Sequence, residues 1–133
     1  MPEADVDHIY DYPKGYIKDI LKSVKTIAMV GASGDKTKFS YGVLRVLHET
    51  GYEMLPVNPN PNIKEIRGLK VFHSLKEIDK PVDMVQVFRR KEELLSVAKE
   101  AIEINAKVLW GQIGVYDDEA AETAAKAGLK VVM

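Results

Sequence analysis

Strand-sized apolar runs alternating with helix-sized amphipathic stretches predict an open, doubly wound α/β fold: a mostly parallel sheet of about five strands with helices on both faces. Three observations carry this expectation. Candidate strands of five to seven residues alternate with candidate helices of roughly ten to fifteen, the mark of βαβ units. Right-handed crossovers then wind such units onto both faces of one sheet. Finally, 133 residues with 46% hydrophobic and 29% charged side chains form one ordinary globular domain, large enough to need no disulfide or metal staple.

The elements follow in chain order. The first dozen residues carry Glu3, Asp5, Asp7 and Asp11 with no Lys or Arg, so residues 1–15 read as an acidic arm and 16–133 as the domain. Ile17, Ile20, Leu21 and Val24 recur at helical spacing. Residues 25–30 form the first strand, buried on both faces and stopped by Gly31. A polar loop, 32–39, leads to a helix expected to be capped by Ser40, with Tyr41, Val43, Leu44, Val46 and Leu47 as its apolar positions and Gly51 as its stop. Residues 52–57 are the second strand, with Pro56 expected near its end because proline breaks a central ladder. A small strand at 68–72 and a helical turn at 74–78 come next. Residues 82–88 form the third core strand and 91–105 a helix with Leu94, Leu95, Ala98, Ala101 and Ile102 on one face. A strand at 106–110, an alanine-rich helix at 117–127 capped by Asp117, and a last strand at 129–133 complete the pattern.

Composition excludes several classes of function. Nineteen basic against 20 acidic residues give a formal net charge of −1, which argues against binding that neutralises many nucleic-acid phosphates. The chain contains no cysteine, so thiol catalysis, thiolate zinc sites and disulfides are ruled out. No segment reads as a secretory signal or a membrane span, so a cytoplasmic location is expected.

In folds of this class ligands sit at the carboxyl ends of the strands, beside the switch in strand order. After the first strand come Gly31, Ala32, Ser33, Gly34, Asp35, Lys36, Thr37, Lys38, Phe39 and Ser40. Glycine permits a tight turn, Ser33 and the following amides offer donors, and a helix N-terminus opens onto the same space. With Lys36 and Lys38 this forms a candidate phosphate site, beside the plainer reading of a βα turn that needs glycine and serine. The nicotinamide fingerprint G-x-G-x-x-G is incomplete, since Ser33 replaces its second glycine, and no carboxylate ends the second strand. After that strand, Pro56, Pro59 and Pro61 stiffen a shelf around Asn58, which suits a flat base or ribose or simply a capped turn. Phe88, Arg89, Arg90 and Lys91 put three cations at a helix start, against the dipole. They suggest contact with an anion, or pairing with Glu92 and Glu93. Trp110, Gln112 and Gly114 end the fourth strand, Trp110 either at the mouth or as a core-capping aromatic.

These strand ends in order, Val30-Gly31-Ala32-Ser33, Pro56-Val57-Asn58-Pro59, Val87-Phe88-Arg89 and Trp110-x-Gln112-x-Gly114, resemble the small single-domain CoA-binding proteins. That family is similar to the nucleotide-binding domain of the succinyl-CoA synthetase alpha subunit. The resemblance covers roughly Ile17 to the end and implies a Rossmann-like domain holding coenzyme A across the strand ends. It implies phosphate contacts at Gly31–Asp35 and a lining segment at Gly111–Gly114. The phosphorylated histidine of the synthetases lies in a separate domain that this chain does not contain. Family members continue past the last strand with a polar, cysteine-containing segment, whereas this sequence stops at Met133. Either the sequence is truncated there or the protein lacks that edge, and no thiol chemistry carries over.

No catalytic constellation is expected. His8, His48 and His73 share no metal-ligand spacing, no metal is implied, and Asp117 with Asp118 suits helix capping. The leading expectation is therefore a non-catalytic module for CoA or an acyl-CoA. Its alternatives are an NAD(P)-binding oxidoreductase, a CoA-ligase-type subunit needing a partner chain, and a bare scaffold for protein interaction. A homo-oligomer or a partner subunit is compatible with each.

Overall fold

The structure is a computed structural model and describes residues 6–7, 12–13, 15–112 and 116–133. Near the start, β1 (Val6–Asp7) and β2 (Tyr12–Pro13) pair antiparallel. Helix α1 (Tyr16–Ser23) follows, then β3 (Thr26–Val30), α2 (Phe39–Thr50) and β4 (Glu53–Val57). A small hairpin of β5 (Glu65–Ile66) and β6 (Leu69–Lys70) comes next, with a 3-10 turn at Leu75–Glu77 behind it. The chain then runs through β7 (Met84–Val87), α3 (Leu94–Glu103), β8 (Val108–Gly111), α4 (Asp118–Lys126) and β9 (Lys130–Val132).

The central sheet has five strands in the order β4-β3-β7-β8-β9, and every pairing is parallel. Numbered within the sheet this is 2-1-3-4-5, an order whose switch point lies between the first and third strands. Here that point is the gap between the ends of β3 and β7. The expected doubly wound α/β class is therefore observed, entirely parallel.

Alternation along the strands sends side chains into two cores. Ile27 and Met29 of β3, Met84 of β7, and Val108 and Trp110 of β8 pack with Ile20 of α1 and Leu44 of α2. Ala28, Val85, Val87 and Leu109 face the other way, onto Leu94, Val97, Ala98 and Ala101 of α3 and Ala120 and Ala124 of α4. Small alanines on α3 and α4 let both helices lie close to the sheet.

Pro56 sits in the edge strand β4. Its carbonyl accepts a hydrogen bond from the Phe72 N–H at 2.9 Å, on the side away from β3. Its missing N–H therefore faces out of the ladder and costs the sheet nothing. Phe72 covers that edge through an isolated parallel bridge to Val57.

Three expectations need correction. Helix α2 begins at Phe39 with Lys38 at its N-cap position and no side-chain cap, so Ser40 lies inside the first turn and is buried instead of capping. Val46, assigned to the apolar face of that helix, is 51% exposed, because the inward direction is set by Ser40 and Leu44. The helix expected over 91–105 starts as a 3-10 turn at Lys91–Glu93 and becomes α-helical at Leu94. The Asp117 cap is present: its carboxylate accepts from the Ala120 N–H at 2.9 Å.

Candidate functional site

The switch point is built around Gly31. Its φ of 90° lies in the left-handed region, and a Cβ there would stand 2.5 Å from the Phe88 carbonyl oxygen. Glycine is thus required by backbone conformation and by the neighbouring strand end together. The N–H groups of Gly31 and Ala32 both donate to the Val57 carbonyl, at 3.0 and 3.3 Å, while the Phe88 N–H donates to Val30 at 2.7 Å. The ends of β3, β4 and β7 are locked together by these bonds.

The loop beyond Gly31 holds its own shape. The Asp35 N–H donates to Ser33 Oγ at 3.0 Å, and Asp35 Oδ1 accepts from both the N–H and the hydroxyl of Thr37, at 2.9 and 2.7 Å. Those two bonds, helped by the charge of Lys38, hold the Asp35 carboxyl below its ordinary value. Asp35 is thus a shaping acid of the loop, and it occupies one amide that an anion would otherwise use. Ser33 is half-buried, while Gly34, Lys36 and Lys38 are exposed.

Asn58 serves the same scaffold. Its side-chain N–H donates to the Ala32 carbonyl at 2.8 Å, and its Oδ1 accepts from the Asn60 N–H at 2.9 Å. This amide thus joins the loops after β3 and β4. Pro59 is exposed beside it.

A cleft of about 420 Å³ opens at these strand ends on the α3 side, walled by Val30, Val57, Pro59, His73, Ser74 and Arg89. Arg89 lies over Gly31 and donates from Nε and Nη2 to Glu93 Oε1, at 3.3 and 2.9 Å. The Arg89 guanidinium, with a smaller contribution from Arg90, holds the Glu93 carboxyl below its usual range. Arg90 is 85% exposed in its side chain, 3.9 Å from Glu93. Both arginines thus stand within ion-pair distance of Glu93. Glu92, Glu93 and Glu100 also border the cleft, so its charge is mixed, while Lys36 and Lys38 stand exposed on the loop.

Sequence reasoning missed several residues here. His73 and Ser74 reach the cleft because the bridge from Phe72 to Val57 brings that segment to the strand ends. In the His73 ring, Nε2 lies 3.2 Å from the Ile63 carbonyl and Nδ1 3.7 Å from Glu77. Phe39 is 72% exposed and tilts at 55° against half-buried Phe88, their ring centroids 6.1 Å apart. Gln86 was a visible signal, a lone polar residue in the apolar run of β7.

Trp110, read either as a mouth residue or as a core-capping aromatic, stands on the core side of those two readings. It is 8% exposed and packs in the core beneath α1 and α2, because strand alternation turns it to that face. Gln112 follows the end of β8 and is half-buried. Gly114, like His8, lies outside the described residues. Among the described residues, no helix is long and apolar enough to cross a membrane.

A parallel 2-1-3-4-5 sheet with a cleft beside its switch point defines the Rossmann-like class of α/β domain. Residues 25–133 match the family described as CoA binding domain, and the chain belongs to that family. It is 44% identical over 120 residues to the Bacillus subtilis (strain 168) protein "Uncharacterized protein YneT", covering 90% of this chain and 87% of that one. It is 30% identical over 128 residues to the alpha subunit of acetate–CoA ligase [ADP-forming] I from Pyrococcus furiosus. That match covers 86% of this chain and 28% of the ligase subunit, so the chain spans little more than a quarter of that relative. Among solved structures, a hypothetical protein from Pyrococcus horikoshii OT3 superposes with a TM-score of 0.83 at 35% identity, over 87% of this chain and 80% of that one.

Proposed function

We propose that the protein binds coenzyme A or an acyl-CoA across the carboxyl ends of β3, β4 and β7, in the cytoplasm, without itself catalysing a reaction. The carrying observation is the cleft at the switch point, walled by Val30 just before Gly31 and by Arg89, which lies over Gly31. In this reading the flat base lies against Pro59, Val57 and Val30, and the phosphates lie over the loop that presents Lys36 and Lys38. Arg89 exchanges part of its bond with Glu93 for a ligand phosphate. Residues 16–133 form the binding unit, with 1–15 as an arm.

Calorimetry with CoA, dephospho-CoA and NAD tests the proposal. CoA is expected to bind more tightly than dephospho-CoA, and NAD not measurably. Equal affinities for CoA and dephospho-CoA would show that the cations do not read the 3′-phosphate.

The likeness to a ligase alpha subunit favours one second reading, a CoA-ligase-type subunit that works with a partner chain. It predicts the same CoA binding and, in addition, a larger protein that copurifies with the native chain in fixed ratio.

A further inference from the structure

Gln86 is one of two buried polar residues among the described residues, 6% exposed in the central strand β7. Its register partners are Met29 and Trp110, both apolar and both on the α1/α2 side of the sheet. Among the described residues its Oε1 has no hydrogen-bond partner. The same holds for one atom of a second amide, Gln112 Nε2. The register pairs Val87 with Gly111, so Gln112 stands beside Phe88, one step past the end of β8. Strand alternation turns it to the same face as Gln86. One amide thus offers an unused acceptor and its neighbour an unused donor, both at the carboxyl edge of the two central strands.

An apolar side chain of similar size would fill the Gln86 position at no electrostatic cost, whereas a buried carbonyl oxygen without a partner destabilises the free protein. Phe88 lies two residues beyond Gln86 on the same side, and exposed Phe39 rests against it.

We propose that Gln86 and Gln112 form a recognition point for an amide group of the ligand, Gln86 Oε1 accepting from its N–H and Gln112 Nε2 donating to its carbonyl. The assignment rests on the CoA reading above. It places the amide-bearing arm of the coenzyme on the α1/α2 side of the switch point, opposite the cleft that takes the base.

The test compares CoA with adenosine 3′,5′-bisphosphate, which carries the base and phosphates but no arm, on the wild type, Gln86→Met and Gln112→Met. Gln86→Met is expected to raise the Tm of the free protein by a few degrees, because it removes the unpartnered oxygen. Both variants are expected to bind CoA about tenfold more weakly, with bisphosphate affinity unchanged. Unchanged CoA affinity in both variants would overturn the assignment, as would equal losses for both ligands. A lower Tm of Gln86→Met with CoA affinity retained would mark the amide as purely structural. A wild type that binds neither ligand would overturn the CoA reading and this assignment with it, whereas a wild type that binds CoA beside indifferent variants would overturn this assignment alone.

Discussion

Gly31 shows how much a single position carries. Any side chain there meets a left-handed φ of 90° and the Phe88 carbonyl at 2.5 Å, and the backbone cannot retreat because Gly31 and Ala32 are both bonded to Val57. Gly31→Ala is expected to destabilise by about 2–4 kcal/mol in urea titration. A loss under about 1 kcal/mol would mean that the loop gives way. Glu93 presents the opposite case. It forms a half-exposed i,i+4 pair with Arg89, so Glu93→Gln should change stability by no more than about 1 kcal/mol. The same change frees Arg89 and removes a negative charge from the cleft rim. CoA affinity is therefore expected to rise several-fold at low salt, and calorimetry showing a fall would contradict a phosphate role for Arg89.

Helix α2 has two apolar faces with different duties. Leu44 is fully buried against the sheet, whereas Phe39 and Val46 point outward. Leu44→Ala should therefore cost about 2–4 kcal/mol, and Val46→Lys close to nothing, by thermal or chemical melting. Helix α4 rests on its cap. Asp117 accepts from the Ala120 N–H, and Asp117→Ala should cost about 1 kcal/mol by the same measurement. The cap was legible because an acid just before an alanine-rich run has few other uses. The start of α2 was misread because serine at a helix entry looks like a cap, while the actual turn is closed by Asp35, whose carbonyl accepts from the Lys38 N–H.

At the scale of the whole molecule, three carboxylates among the described residues sit below their ordinary values: Glu53 through Lys80 and then Thr26, Glu93 through Arg89, and Asp35 through Thr37. A carboxylate depressed in the folded state stabilises it above the unfolded value, and that stabilisation is lost as pH falls through the folded value. The Tm should therefore stay level around neutrality and decline below the ordinary glutamate value of 4.5. The decline should be shallow, because these carboxylates are exposed or half-exposed, and shallower still in a Glu53→Gln/Glu93→Gln double variant. An identical acid limb in that variant would place the sensitivity elsewhere.

The alternation of apolar runs was enough to specify the α/β class and the five parallel strands, because burial periodicity is written locally along the chain. Position within that frame was not. Whether Trp110 was buried depended on which side of β8 it fell, and helices α1 and α2 cover that side. Asn58 and Arg89 each had two local readings, and in each the competing partner, Ala32 or Glu93, was settled by how strand ends and helix starts meet in space. His73 and Ser74 reached the cleft only through the Phe72–Val57 bridge, a contact between segments fifteen residues apart that no local pattern encodes. The sequence thus specified which residues form strands and helices, since that choice is local. Packing assigned each polar side chain its partner, since hydrogen bonds and charges are satisfied by whatever the fold brings near.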